Sequence, residues 1–412
     1  MRAKTADVHV RLLSVFANVD DLVDHDRAEA HFRKGEALLV ELPGSELLVS
    51  LYFEWANLCL WEAQVRSGLE AATRSLELAR HLNSALVVQA EMMMGAFLWA
   101  SGRLGEAFEC LEGAWQEADA LDDIRSAWTT LNAAFDLGNM GDHREAMRWF
   151  VREMSRSRNA ESPFAESRLY PAQVHAYGSM GELGRVREMM SRVSNPQGFL
   201  GWAGQYALAF WAGKLEEAET LHTALIEILR HLRRAENICS FGADAAHLYR
   251  LTGRHAKAEE LLREGLSYSV PGGHIVLEMR GRECLAHVLA DMGRTDEARS
   301  ELGRCRGIMA AGEDWRGLAG LVEWSEAAIA VAEKRFDDAD RNFAGAIEII
   351  RRYSMRTHQG PTLCEWGRAL LAAGHRDRAL EKFDEAIELY RHVSAGQPWI
   401  DRVLADKQAS GL

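Results

Sequence analysis

A short turn returns along this chain about every 40 residues: Gly, four mostly polar residues, then Ala opening an apolar helical stretch. Gly102…Ala107, Gly141…Ala146, Gly213…Ala218, Gly253…Ala258, Gly293…Ala298 and Gly374…Ala379 carry it. Self-similarity at roughly 20–50 residues marks an array of supersecondary units, each packing only on its neighbours. Length points the same way, because a single core stops growing near ~250–300 residues and this chain has 412.

Gly181 lies in the same register, and degenerate copies complete it. Lys334…Ala339 fills the 81-residue gap between Gly293 and Gly374, and Ala63…Gly68 and His25…Ala30 precede the first clear copy. That makes ten repeats, with successive spacings of 38, 39, 39, 40, 32, 40, 40, 41 and 40. The short spacing contains Asn195-Pro196-Gln197-Gly198. Proline stops a helix, so this repeat should have a clipped second helix, with a break in the array near 195–200.

Each repeat reads as two helices. In the last, Ala379, Phe383, Ala386, Ile387 and Tyr390 fall on one helical stripe after Gly374, and Leu363, Trp366, Gly367, Leu370 and Leu371 share a side before it. Gly367 and Ala379 are small where two helices must cross closely. Gly374 suits the left-handed residue that ends a helix.

Gly367, Gly374, Ala379, Phe383 and Ala386 together resemble the tetratricopeptide repeat: a small residue seven before the turn, Ala five after, an aromatic nine after and a small residue twelve after. Ala327, Ala339, Phe343 and Ala346 fit all but the Gly, and Gly95, Gly102, Ala107 and Ala114 fit with Leu111 in the aromatic slot. The period is nearer 40 than the usual 34. It resembles the lengthened type found in the C-terminal sensor regions of bacterial signal-transduction ATPase and cyclase regulators, and the segment Gly396–Val403 resembles how those regions end. The resemblance implies an all-α fold, a right-handed superhelical solenoid of about ten antiparallel helix pairs over residues 1–395, with 396–412 as a C-terminal tail or cap.

Composition narrows the function. The net charge is −13, whereas a nucleic-acid binder needs a basic face; the run Arg230-His231-Leu232-Arg233-Arg234 reads as a helix C-terminus complementing its dipole. The six cysteines form no C-x-x-C pair. Asp7, His9 and Arg11 stand where a signal peptide would be apolar, and no stretch approaches the ~18 apolar residues of a membrane span. The expectation is a cytoplasmic protein without direct nucleic-acid or membrane contact. No P-loop, H-E-x-x-H or G-x-S-x-G is present, and the acidic pairs Asp20-Asp21, Asp122-Asp123 and Asp337-Asp338 read as helix caps. No catalytic residue, cofactor or metal site is therefore expected.

The resemblance also implies a partner groove lined by the first helix of each pair, at thirteen, ten, six and three residues before the turn. Those slots hold Phe53, Asn57, Trp128, Phe135, Arg168, His175, His247, Arg250, Arg280, Glu283, His287 and Arg368. None of the ten-before slots is Lys, which argues against a carboxylate clamp of the chaperone type. Two readings stay open. Either this face is simply solvated, or the His and Arg side chains form a strip for an acidic peptide or small anion, with binding that weakens above pH ~7 as His loses its proton. The histidines should lie about one layer apart, ~10 Å by helix spacing. Trp99, Trp115, Trp149, Trp324 and Trp366 follow core spacing, whereas Trp61, Trp128 and Trp211 could edge the groove. The expected function is a non-catalytic protein–protein interaction scaffold or ligand-sensing module in bacterial signalling or transcriptional regulation, with a protein or peptide partner. The alternative is a regulatory subunit or remnant controlling an ATPase or nucleotide cyclase encoded elsewhere. An uncapped outer face on the last repeat would allow a homodimer.

Overall fold

The computed structural model describes residues 2–18, 24–40, 45–121, 123–156, 168–193 and 201–409. Among them there is no strand. The helices run in pairs: α1 (Arg2–Asn18) with α2 (His25–Leu39), α3 (Glu46–Trp61) with α4 (Val65–Leu82), and α5 (Val87–Ala100) with α6 (Leu104–Ala120). α7 (Arg125–Asn139) and α8 (His143–Met154), α9 (Tyr170–Ser179) and α10 (Leu183–Met190), and α11 (Gly201–Trp211) and α12 (Leu215–His231) follow. Then come α13 (Ala235–Leu251) and α14 (His255–Gly272), α15 (Ile275–Asp291) and α16 (Thr295–Met309), α17 (Arg316–Ala332) and α18 (Phe336–Arg352), α19 (Arg356–Ala372) and α20 (Arg376–His392), and a last helix, α21 (Gln397–Ala409).

The turns explain the period. Gly102, Gly141, Gly181, Gly213, Gly253, Gly293 and Gly374 all have positive φ, between 69° and 85°. Ala63 and Lys334, the degenerate copies, take the same conformation at 57° and 60° without glycine's freedom. After Gly374 the chain closes a Schellman motif: the Gly374 N–H reaches Leu371 O (2.9 Å) and the His375 N–H reaches Leu370 O (2.8 Å). Asn83, Gly273, Ser354 and Ser394 end second helices in the same left-handed way. The motif thus returns at about half the period read from sequence.

The first repeat needs a correction. Every other second helix starts two residues after its turn residue, but α2 starts at His25 itself, capped by Asp24. Its turn slot is therefore 23, not His25. Ala28, Phe32 and Gly35 then take the small, aromatic and small slots, and all three are buried.

Packing accounts for the motif residues. Ala107, Ala218, Ala258, Ala298, Ala339 and Ala379 are fully buried. A Cβ on Gly367 would stand 2.7 Å from the Phe383 ring, and one on Gly95 would stand 2.7 Å from Leu111. The small residue before the turn thus makes room for the large one nine after it. Ala379→Leu should cost ~1–3 kcal/mol by overpacking; an unchanged melting temperature would contradict this crossing. α10 has only 8 residues against 17 in α12, the clipped helix expected there. It ends at Met190, and the 195–200 break lies outside the described residues.

The chain divides into two compact units. Unit 1 comprises Met1–Ala133, Ile228–Cys239 and Gly265–Glu278; unit 2 comprises Ala134–Glu227, Ser240–Glu264 and Met279–Leu412. In unit 1, Phe32 stacks on Trp55 at 4.4 Å, Arg234 lies over Trp61 at 4.2 Å, and His274 meets Trp99 edge-on at 5.1 Å. α12 ends at His231, so the basic run does fall at a helix C-terminus.

In unit 2, repeats far apart in sequence meet. Leu318 N–H donates to Met140 O (3.1 Å), Arg316 pairs with Asp142, and Arg356 donates to Met180 O (3.0 Å). Gly396 N–H donates to Trp211 O (2.7 Å), and Trp399 Nε1 donates to Phe210 O (2.7 Å). A Cβ on Gly396 would stand 2.2 Å from Ala212 O, so only glycine permits this approach. The turns after α7, α9 and α11 thus seat against the starts of α17, α19 and α21. α21 also covers α20, with Trp399 stacked on Tyr390 at 5.4 Å. The last repeat's outer face, expected to be open to a second copy, is covered by this chain's own helix.

Candidate ligand site

Closure of unit 2 on itself turns the first-helix faces of α7, α9, α11, α13, α15, α17 and α19 toward one interior. Successive helical turns of α13 present Asp244, His247 and Arg250, and those of α15 present Arg280, Glu283 and His287. Trp324 of α17 and His358 of α19 meet them.

Two ion pairs organise the interior. Arg250 Nη1 reaches Glu365 Oε1 (2.7 Å) and Asp291 Oδ2 (3.2 Å), with His287 Nε2 at 3.0 Å. The guanidinium lies over the Trp324 ring at 4.8 Å, and Trp324 Nε1 donates to Glu365 Oε2 (2.7 Å). Arg280 donates to Asp244 and to Asn139, and His175 approaches Asp244 at 3.9 Å. Burial works against each charge, but the partners outweigh it. Arg250 and His287 hold the Glu365 carboxyl well below its usual range, Arg280 does the same for Asp244, and Glu365 and Asp291 keep Arg250 firmly protonated.

Burial keeps five other groups of the interior neutral at pH 7. Burial, aided by His358 and Arg250, pushes His247 well below 6.5; burial does the same to His143, and it takes His222 and His358 down to about 4. Burial raises Glu283 to about 8 against the pull of Arg280. The expected loss of His charge near pH 7 therefore does not apply to His247.

Between these side chains lies a cavity of ≈ 80 Å³. At about 10–15 Å³ for each water centre, that is room for several waters or one small ligand. His175, one of its lining residues, has a side chain that is 37% exposed. Three buried polar atoms of its lining have no partner: Arg250 Nη2, His247 Nε2 and His143 Nδ1.

Six projected residues line this cavity: His175, His247, Arg250, Arg280, Glu283 and His287. The others lie elsewhere. Phe53, Asn57 and Trp128 are in unit 1, with Trp128 exposed; Phe135 is half-buried in unit 2; Arg168 and Arg368 are exposed, Arg368 facing Asp406 at 3.8 Å. The cationic strip expected to await an acidic partner is already neutralised by Asp244, Asp291 and Glu365. His358, which the projection did not include, brings its ring to 4.9 Å from that of His247. Trp211 is buried with Nε1 on Gly178 O (2.7 Å) and lines the cavity. The residues missed had a signal: Asp244 and Glu365 both stand nine before their turn glycine, one slot outside the projected stripe. Among the described residues, no three His, Cys, Asp or Glu form a metal-holding set, and no helix is long and apolar enough to cross a membrane.

The architecture is a helical-repeat array of the tetratricopeptide type. Among solved structures, the chain is similar to the APC/C hetero-tetramer Cut9–Hcn1, with a TM-score of 0.52 and 13% identity over 96% of this chain and 80% of that one. A Rap protein complexed with competence and sporulation factor superposes with a TM-score of 0.47 and 12% identity, over 95% of this chain and 99% of that one. At 13% identity the likeness to Cut9–Hcn1 shows the fold alone. No family model and no curated relative matches the sequence.

Proposed function

We infer that this protein is a non-catalytic recognition module whose repeats serve as a scaffold and whose unit 2 interior is its binding site. The partner is a protein or peptide presenting a small group to the cavity, or a small molecule of that size. The carrying observation is the cavity itself, walled by Arg250, His247, His143 and Trp324 where seven first helices meet. The likeness in fold to Cut9–Hcn1 accords with this reading, as does the signalling role that the resemblance to the lengthened tetratricopeptide type implies.

The test is affinity capture with the full chain and with His247→Phe, which keeps a ring against Trp324 and His358 but removes the nitrogen. A partner captured by the wild type and lost from a variant with the same melting temperature supports the assignment. Equal capture by both would place recognition on another surface.

A further inference from the structure

Unit 2 closes on itself through a repeated fitting, in which the turn after one first helix receives the residues that open a later one. A Cβ on Gly141 would stand 2.7 Å from the Met355 side chain, and one on Gly181 would stand 2.8 Å from Val393. Both glycines are buried, as are Met140 beside the first and Trp315 and Met355, the residues just before α17 and α19. The turns at Gly253, Gly293 and Gly374 are open by comparison. Apart from chain neighbours, no atom of the described residues lies within 4 Å of a Cβ there, and all three glycines are exposed. Met292-Gly293 repeats the Met-Gly pair of the filled turns Met140-Gly141 and Met180-Gly181, yet Met292 is 38% exposed where Met140 is fully buried.

A matching edge lies in unit 1. Asp123-Ile124-Arg125 opens α7 as Asp314-Trp315-Arg316 opens α17, and in each the Asp carboxylate accepts the backbone N–H of the Arg two residues on, at 2.9 Å and 3.0 Å. Trp315 is buried in its seat, whereas Ile124 is 44% exposed, and Leu121 and Trp128 near it in sequence are exposed as well. Exposed apolar groups gathered in this way mark contact surfaces. Charge fits the same pairing. Arg316 pairs with Asp142, the residue after Gly141, and at the Gly293 turn Asp296, 99% exposed, offers Arg125 an acid. We propose that two copies of this chain associate head to tail, the Asp123-Ile124-Arg125 edge of one seating on the Met292-Gly293 turn of the other. The contact continues between copies the fitting that unit 2 already uses within itself. Its two surfaces differ, so it is heterologous rather than two-fold symmetric. It is separate from recognition in the unit 2 interior and stands whether or not that site is filled.

Sedimentation velocity of the full chain over a rising concentration series should show the weight-average mass climbing to at least twice that of the monomer. Ile124→Glu and Met292→Glu each place a charge at an exposed position, so both should melt as the wild type does, and each alone should stay at monomer mass. Mixed in equal amounts, the two should recover twice the monomer mass and stop there. The intact edge of the Met292→Glu copy then meets the intact turn of the Ile124→Glu copy, and no further edge or turn is left. The mixture also controls for folding, since a misfolded variant could not restore the mass. A wild type that stays monomeric at every concentration overturns the proposal. Association lost in Ile124→Glu but kept in Met292→Glu overturns it too, by placing the Ile124 edge against another surface. A mixture that stays monomeric overturns the head-to-tail pairing.

Discussion

Replacing Arg250 alone by Met should destabilise unit 2 by ~3–5 kcal/mol, because it leaves Glu365 ionised and buried without its main partner. The pair is well shielded: the Arg250 side chain is 4% exposed and the Glu365 side chain 16%. Such a loss lowers the melting temperature by on the order of 10 °C in a body of this size. The paired change Arg250→Met with Glu365→Gln should recover most of it. Glutamine keeps an oxygen for Trp324 Nε1, and no buried charge remains. Thermal melts of the two single variants and the double variant form a cycle that measures the coupling. Additive losses would mean that the pair contributes nothing jointly and that solvent reaches Glu365 freely.

Acid should open the same interior well before carboxylates are titrated. His143, His222, His247 and His358 bind protons less readily in the folded chain than in the unfolded one. Between pH 6.5 and about 4 the unfolded state therefore takes up protons that the folded state refuses, and stability falls as pH falls. For His222 and His358, with folded values of about 4, the loss is about 2 kcal/mol each by pH 5. Glu283 works in the opposite sense. Its carboxyl, raised to about 8, stays protonated in the fold and favours the folded state as pH drops from 8 toward 4.5. Four imidazoles outweigh one carboxyl, so the net change is several kcal/mol of destabilisation. Asp244 and Glu365, both lowered, keep their contributions until pH drops below about 4. Melting temperatures at pH 7.5, 6.0 and 5.0 should fall in that order. A flat profile, or a rise toward pH 5, would show that the imidazoles reach solvent in the folded chain.

The repeat was legible because it is local. A left-handed residue must end each first helix, and glycine is the cheapest way to supply one, so seven of the turns are written as glycines. Ala63 and Lys334 were found only through the spacing of their neighbours, and His25 was misplaced because the Asp24 cap and the buried trio Ala28, Phe32 and Gly35 carry the signal two residues earlier. Crossing positions such as Gly367 against Phe383 were readable for the same reason, since both partners belong to one hairpin. Half of the projected site residues also fall around one cavity. A helical face is a periodic property, and His247 and Arg250 follow from counting six and three back from Gly253.

From its sequence alone this chain is determined to be a stack of helical hairpins, with the place of each bend, the small residues where helices cross and the face each first helix turns inward. Those depend on contacts within about 40 residues, which periodicity records. Only the tertiary structure decided that the inward faces of unit 2 enclose a neutralised cavity. Trp211 receiving Gly396, Met140 receiving Leu318 and Arg250 meeting Glu365 join residues 115 to 185 positions apart. Whether such partners meet depends on how small angles accumulate over several stacked pairs, and no single repeat carries that sum.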